Sequence, residues 1–162
     1  MPRHSNARHQ HIIASAIVII AEYGIVEFTF NKVARQAGVS AALIVHYFGS
    51  KEALLEAAFR SVVRQLNNQA TVRLGLAAGP RARIEALVDS HLGHNEYAED
   101  SARIWLSFWG QTLHVSQLAR VQRAHQKRML SNLKFDLRQL VDARDVSPMA
   151  DTIAAMIDGV WL

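Results

Sequence analysis

Apolar side chains recur at helical spacing along most of the chain, and no segment shows the strict alternation of apolar and polar residues that is typical of a strand. The first apolar run, from Ile12 to Tyr23, predicts a buried helix that ends at Gly24. The same spacing predicts further helices near residues 50–74, 81–93, 101–113, 116–140 and 148–162. We therefore expect an all-α fold.

Between Thr29 and Leu55 the pattern predicts two short helices joined by a tight turn, followed by the start of a longer helix. Thr29 and Ser40 are expected to cap the two short helices, because their hydroxyls can accept a backbone N–H that lacks a partner in the first turn. Gly38 stands where the first helix must end in a left-handed residue. This is the layout of a DNA-binding helix-turn-helix, whose second helix enters the major groove. An ordinary helical hairpin has the same periodicity, but the ordered succession of cap, glycine, second cap and terminal lysine favours DNA binding.

The chain divides into two predicted domains. Residues 1–49 are expected to form a three-helix DNA-binding domain, and residues 50–162 are expected to form a second, helical domain. A long helix that starts after Ser50 is expected to link them, and the segment from Gly75 to Pro80 is the clearest break after it.

The last helix is expected to begin at Ser147 and Pro148, with the proline at the first helical position. Its apolar period is still running at Trp161 and Leu162, without a capping residue. We therefore expect the natural protein to continue beyond this sequence.

The excess of positive charge lies in the same region as the helix-turn-helix. The net charge is +4, and residues 1–51 hold five Lys or Arg side chains but only two Glu. A local positive excess suits a polyanion such as DNA. The chain has no cysteine, which excludes disulfides and thiolate chemistry and is consistent with the reducing cytoplasm.

The N-terminal sequence MPRHSNARHQH followed by IIASAIVIIA imitates a secretory signal, with a basic start and an apolar run. The run is too short to span a bilayer. We interpret it as the first helix of the DNA-binding domain, because the helix-turn-helix needs a helix to cover its apolar side.

The predicted DNA contacts follow from the position of each residue in the helix-turn-helix. Most residues expected to reach base edges are small or apolar, which favours van der Waals contact with thymine methyl groups. These candidates are Ser40, Ala41, Ala42, Leu43 and Val45. The candidates for phosphate contact are His46, Tyr47 and Lys51 on one side, and Thr29, Lys32 and Arg35 on the other.

Trp105, Phe108 and Trp109 form an aromatic group on one predicted helix. They are either a stripe of core residues or an aromatic box for an organic cation, since ring faces attract a positive charge. The neighbouring residues that are candidates to complete a cation site are Asp89, Glu96, Tyr97, Glu99 and Asp100. Asp158 lies in an apolar run near the end of the chain and is expected to be an ion-pair partner or a ligand carboxylate.

Two further patterns, an HxxH spacing and a run of basic residues, are not taken as functional sites. His91 and His94 have HxxH spacing, but no further ligand supports a metal site. The six basic residues between Arg120 and Arg138 are expected to form a solvated helix face. We find no phosphate-binding glycine loop, nucleophile elbow or metalloprotease motif, so we expect neither an enzyme nor a cofactor.

The segment AGVSAALIVHYFGSKEALLEA, residues 37–57, resembles the DNA-binding signature of the TetR family. The resemblance implies an all-α homodimer with an N-terminal DNA-binding head. It also implies a divergent body that holds an inducer pocket, and a four-helix bundle formed by the last two helices of each protomer.

Two segments of the body, residues 104–133 and the terminal IDGVWL, resemble a subgroup of this family, the choline-responsive repressors of glycine-betaine synthesis genes. Val45, a small residue where many family members have Tyr, also favours that subgroup. The resemblance implies a cytoplasmic, nucleoid-associated repressor without a membrane partner. It would bind double-stranded operator DNA and be relieved by choline or another quaternary ammonium. Two alternatives are a regulator of efflux that senses lipophilic cations and a DNA-binding scaffold that senses no ligand.

Overall fold

The computed structural model describes residues 2–92 and 98–160, with the side chains of residues 5–92 and 102–160. Within these ranges the secondary structure is entirely helical, which confirms the predicted all-α fold. The helices are α1 (Pro2–Tyr23), α2 (Phe30–Ala37), α3 (Ala41–Phe48), α4 (Lys51–Leu76), α5 (Gly79–Leu92), α6 (Ala98–Thr112), α7 (Ser116–Leu137) and α8 (Ala143–Gly159). No helix in the described ranges is both long and apolar enough to cross a membrane.

The two short helices of the predicted helix-turn-helix have the expected caps. The Thr29 hydroxyl accepts the backbone N–H of Lys32 at 3.3 Å, and the Ser40 hydroxyl accepts that of Leu43 at 3.2 Å. Gly38 ends α2 with φ of 63° and ψ of 34°, the left-handed conformation that a side chain disfavours. The caps and the glycine predicted from the local sequence are therefore present at the turn between α2 and α3.

Helix α1 begins at Pro2, well before the predicted start at Ile12. The added turns carry few apolar residues, so the apolar period could not reveal them. Proline is compatible with the first turn of a helix, where its missing N–H is not needed. Contacts of Ser5, His9 and His11 with α2 and α3 hold the added turns in place.

The predicted start of the last helix is wrong. Helix α8 begins at Ala143, so Pro148 lies inside the helix rather than at its first position. Val146 and Ala150 are buried on one face of α8, and Asp145 places a negative charge in its first turn. This burial and the favourable interaction with the helix dipole extend the helix upstream of the proline.

The chain forms two compact units. The first unit comprises Met1–Val62 and Glu99–Val121, and the second comprises Val63–Ala98 and Gln122–Leu162. The first unit therefore extends past residue 49 and includes α6. The predicted boundary between functional domains at residue 49 stays a prediction.

In the first unit, α1 packs against α2, and α2 packs against α3. The largest fully buried side chains of this unit are Ile12, Ile20, Phe28, Val33, Ile44, Leu54, Phe59, Phe108 and Leu118. This core covers the inner face of the helix-turn-helix and leaves the outer face of α3 accessible.

In the second unit, the core is formed by apolar side chains of α4, α5, α7 and α8. An ion pair links three of these helices: Arg83 Nε donates to Asp136 Oδ1 at 2.7 Å. A second nitrogen of Arg83, Nη1, donates to the carbonyl oxygen of Leu74 near the end of α4 at 3.0 Å. Asp136 is only 1% exposed, so this ion pair neutralises a charge inside the core.

Candidate DNA-binding and ligand-binding sites

The accessible face of α3 carries the side chains predicted to meet base edges. Ala42 and Val45 are exposed, whereas Ala41 and Leu43 are half-buried. Ser40 is exposed, but its hydroxyl already accepts the α3 cap hydrogen bond. The face therefore offers mainly methyl groups, and its base contacts stay a prediction.

Lys51 stands at the first position of α4, and its ammonium nitrogen lies 5.8 Å from the ring centroid of Phe28. The Ser50 hydroxyl caps this helix by accepting the backbone N–H of Ala53 at 3.1 Å. His46 is exposed, and its ring contacts that of Tyr47 edge-on at 5.7 Å. These groups lie at the end of α3 and the start of α4, where the phosphate contacts were predicted.

On the other predicted phosphate side, Lys32 is already engaged. Its ammonium group donates to Glu27 Oε2 at 2.6 Å and lies 4.8 Å from the ring centroid of Tyr23. The hydrogen bond and the charge of Lys32 lower the pKa of Glu27. Arg35 is exposed, and Thr29 is exposed with its hydroxyl in the α2 cap. Arg35 is thus more available to a phosphate than Lys32.

The first turns of α1 add residues that the sequence did not reveal. The ring of His9 stacks on Phe48 with a centroid distance of 4.6 Å and meets Tyr47 edge-on at 5.8 Å. The hydroxyls of Ser5 and Tyr47 lie 3.4 Å apart. His11 Nε2 donates to the carbonyl oxygen of Ala37 at 3.2 Å. Helix α1 therefore holds both the turn and the aromatic end of α3.

A shallow groove runs beside the start of α3. It is bounded by Arg8 and His11 on α1 and by Gly38, Ser40 and Leu43 of the helix-turn-helix. The sequence signal for this surface was the placement of basic residues at helical spacing before Ile12, which an extension of the first helix would have brought onto one side.

Phe59 of α4, which sequence reasoning did not select, contacts two residues of the predicted aromatic group. Its ring stacks on Phe108 with a centroid distance of 4.6 Å and an interplanar angle of 20°. Trp105 meets the same ring edge-on at 5.6 Å. Phe108 is fully buried, while Trp105 and Trp109 are half-buried. The structure thus brings Trp105 and Phe108 together around Phe59, and the role of the group in ligand binding stays a prediction.

The acidic candidates differ in their surroundings. Asp89 is exposed on α5. Asp158 on α8 is half-buried, and its Oδ2 accepts from Gln126 Nε2 at 3.5 Å. Burial raises the pKa of Asp158. Glu96 and Tyr97 lie outside the described residues, as do the side chains of Glu99 and Asp100.

Two buried histidines of the second unit form a pair that the sequence did not suggest. The rings of His91 on α5 and His125 on α7 stack with a centroid distance of 5.4 Å. Burial lowers the pKa of His91. Burial, with the charges of His91 and Arg128, lowers the pKa of His125 from 6.5 to about 4. Both rings are therefore neutral at neutral pH.

The HxxH pattern is only half described, because His94 lies outside the described residues. Within the described part of the chain, no group of three or more His, Asp or Glu side chains is arranged to hold a metal ion.

Family models match most of the chain. Residues 12–58 match the model for bacterial regulatory proteins of the tetR family, and residues 80–162 match the model for the C-terminal part of BetI-type transcriptional repressors. The first match contains α2, α3 and the start of α4, and the second contains α6, α7 and α8.

Curated relatives agree with both models. The transcriptional regulator BetI of Stenotrophomonas maltophilia is 36% identical over 157 residues, which is 96% of this chain and 80% of that protein. The BetI regulator of Rhizobium meliloti is 36% identical over 155 residues, 96% of this chain and 76% of that protein.

Solved structures share the fold. A TetR transcription regulator from Haloarcula marismortui has a TM-score of 0.87 at 19% identity, covering 96% of this chain and 85% of that one. A putative transcriptional regulator from Saccharomonospora viridis in complex with choline has a TM-score of 0.83 at 24% identity, covering 97% of this chain and 84% of that one. By the identity of its relatives and the models it matches, the chain belongs to the TetR family of DNA-binding transcriptional repressors, in the branch with a BetI-type C-terminal domain.

Proposed function

We propose that this protein is a dimeric repressor whose operator binding is relieved by choline, and that it controls genes for choline uptake and glycine-betaine synthesis. The observation that carries the proposal is the match of residues 80–162 to the BetI-type repressor model. The choline-bound regulator of Saccharomonospora viridis supports it, since the same fold holds choline in that protein. The operator partner is DNA, so the protein would act in the cytoplasm.

A path from ligand to DNA is available within the first unit. Phe59 lies on α4 and contacts Trp105 and Phe108 of α6. Helix α4 follows α3 after only the Gly49 and Ser50 connection. A ligand-induced movement of Trp105 would be passed to Phe59 and so to α4, which carries Lys51. The ligand would relieve repression only by binding one arrangement of the heads better than the other.

The outer face of α8 supports a homodimer. Met149, Met156 and Val160 follow one another at helical spacing and are 40%, 68% and 65% exposed. A row of exposed apolar side chains on one helix face is typical of an interaction surface. A second copy would bury this row and place the two heads in successive major grooves, about 34–36 Å apart, on a palindromic operator.

The test measures operator affinity by fluorescence anisotropy, with a duplex selected from a random pool by the protein itself. Choline is expected to weaken operator binding about fivefold or more, the lower range of coupling between two sites. A lipophilic cation, tetraphenylphosphonium, serves as the comparison ligand. Binding to a scrambled duplex controls for effects of ionic strength.

The comparison separates the proposal from its rivals. If tetraphenylphosphonium releases the operator and choline does not, the protein is an efflux-type regulator and the choline assignment is wrong. If no cation changes the affinity, the protein acts as a DNA-binding scaffold. Trp105→Ala removes the ring contact with Phe59 and is expected to reduce the choline response, while Trp105→Phe, which keeps an aromatic ring, is expected to retain part of it.

A further inference from the structure

Three helices of the second unit bring polar side chains together in its interior. His91 on α5 stacks against His125 on α7, with 5.4 Å between ring centroids. Gln126, next to His125, donates to Asp158 on α8 at 3.5 Å. His91 is 8% exposed and His125 is 6% exposed. Polar groups removed from water to this degree need hydrogen-bond partners. Any of their donor or acceptor atoms that lacks a partner in the protein therefore indicates what kind of group a ligand must offer.

The hydrogen bonds of His91 define its tautomer. Its Nδ1 lies 2.8 Å from the carbonyl oxygen of Leu87, which can only accept. Nδ1 therefore carries the proton and donates it to Leu87. Burial lowers the pKa of His91, so the ring is neutral and Nε2 holds a free lone pair. Nε2 is an acceptor.

That acceptor has no donor within the described part of the chain. The His91 Nε2 atom is buried and makes no hydrogen bond there. The same holds for Oε1 of Gln122, which lies on the same face of α7 as His125 and Gln126. Asp158 adds a carboxylate that makes no salt bridge among the described side chains. Two buried acceptor atoms of this cluster, His91 Nε2 and Gln122 Oε1, thus lack a hydrogen-bond donor among the described residues.

A ligand that complements this cluster must donate a hydrogen bond. A positive charge on the same ligand would pair with the carboxylate of Asp158. Choline combines the two chemistries in one small molecule. Its quaternary ammonium has no N–H, so its hydroxyl is the only group with which it can donate a hydrogen bond. A neutral imidazole acceptor inside the core is well matched to such a hydroxyl.

We propose that this polar cluster recognises the hydroxyl group of the inducer, with His91 Nε2 accepting its hydrogen bond. The inference rests on the proposed function, because it takes the inducer to be choline. It adds the specificity: the protein distinguishes choline from a quaternary ammonium without a hydroxyl donor. An analogue that fills the site without donating leaves Nε2 buried and unpaired, and a site of this kind rejects such analogues strongly.

The decisive experiment compares choline with its O-methyl ether on the wild-type protein. The ether keeps the trimethylammonium group and the oxygen but has no O–H. Calorimetric titration is expected to give at least about tenfold weaker binding for the ether, the scale set by one unpaired buried group. Choline should also release the operator at a lower concentration than its O-methyl ether does.

Two variants assign the discrimination to the cluster. His91→Phe keeps a ring against His125 but has no acceptor, so choline should bind more weakly and the preference over the ether should fall towards onefold. Gln122→Met tests the neighbouring acceptor without changing the His91 ring. His114→Phe is the matched control, since His114 is exposed and belongs to the first unit, and it should keep the full preference.

The outcomes separate the two proposals. If the wild-type protein binds choline and the ether equally, the inference about the hydroxyl is overturned while the choline-responsive function stands. If His91→Phe, with an unfolding transition like that of the wild type, keeps the full preference, His91 is not the acceptor and the inference also fails. If choline neither binds nor releases the operator, the proposed function fails and this inference fails with it.

Discussion

Lys51 joins the DNA-binding face to the long helix α4. Its ammonium group lies near the Phe28 ring at the helix N-terminus, where backbone N–H groups also face outward. Replacing Lys51 with Ala should weaken binding to operator and non-operator duplexes alike, because a phosphate contact carries no sequence information. The slope of log affinity against log salt should fall by about 1. Anisotropy titrations at several salt concentrations measure both effects.

Lys127→Ala is the control for this prediction, because Lys127 is exposed on α7 and belongs to the second unit. It should leave both the affinity and the salt slope unchanged. A Lys51→Ala protein that lost only its preference for the operator, with non-specific affinity intact, would contradict the phosphate assignment.

The buried His125 should make stability depend on pH. Its pKa is lowered from 6.5 to about 4 in the folded protein. As pH falls through this window the unfolded chain binds a proton that the folded chain does not, so stability is complete above about pH 6.5 and is lost towards pH 4. His91, whose pKa is also lowered, acts in the same direction. Asp158 opposes both at acidic pH because its pKa is raised.

Urea unfolding between pH 4 and pH 7 measures this dependence. Between about pH 4 and pH 6.5, His125 makes the free energy of unfolding rise by up to about 1.4 kcal/mol per pH unit. His125→Gln should reduce the slope, whereas His114→Gln, at an exposed position, should not. An unchanged slope in His125→Gln would show that His125 is protonated equally in both states.

At the scale of helices, the ion pair between Arg83 and Asp136 connects α5 and α7 and, through the Leu74 carbonyl, the end of α4. Arg83→Met would leave the carboxylate of Asp136, 1% exposed, inside the core without this partner. We expect a loss of about 3–5 kcal/mol in the free energy of unfolding. The double variant Arg83→Met with Asp136→Leu should recover most of that loss, because it removes the uncompensated charge.

The surface pair of Arg81 and Glu85 on the same helix provides the control. Its side chains are 87% and 64% exposed. Arg81→Ala should therefore change the unfolding free energy by less than about 0.5 kcal/mol. Equal losses for Arg83→Met and Arg81→Ala in urea unfolding would mean that burial of Asp136 does not govern its energetics.

Helix bounds show which parts of an element the sequence pattern can reveal. The ends of α2 and the start of α3 were predictable, because Thr29, Gly38 and Ser40 act on backbone groups a few residues away. The early start of α1 was not, because its first turns are held by contacts with Tyr47 and Phe48 on another helix. The start of α8 was missed because the prediction gave weight to Pro148, while burial of Val146 decided the outcome.

At the scale of the whole molecule, the exposed apolar face of α8 predicts association. Met156→Glu places a charge in the middle of the row formed by Met149, Met156 and Val160. We expect it to weaken dimerisation by about tenfold or more, since charge is disfavoured at the core of such interfaces. Operator affinity should fall too, because a single head contacts one half-site. Sedimentation velocity measures the association.

Ala155→Glu is the matched control: Ala155 is exposed on α8 but lies away from this row. It should remain dimeric and bind the operator as the wild type does. A Met156→Glu protein that also stayed dimeric at low micromolar concentration would exclude this face as the interface.

The sequence by itself determined the all-α class, the two short helices with their caps and turn, and the membership in a family of DNA-binding repressors. Helical periodicity, capping and the left-handed glycine involve residues within one or two turns of each other, so they can be read from spacing alone. Only the tertiary structure decided that Phe59 contacts both Trp105 and Phe108, that Arg83 pairs with Asp136, and that His91 stacks on His125. Each of these contacts joins residues of different helices. Burial lowers the pKa of the two histidines, and it depends on neighbours that spacing along the chain does not specify.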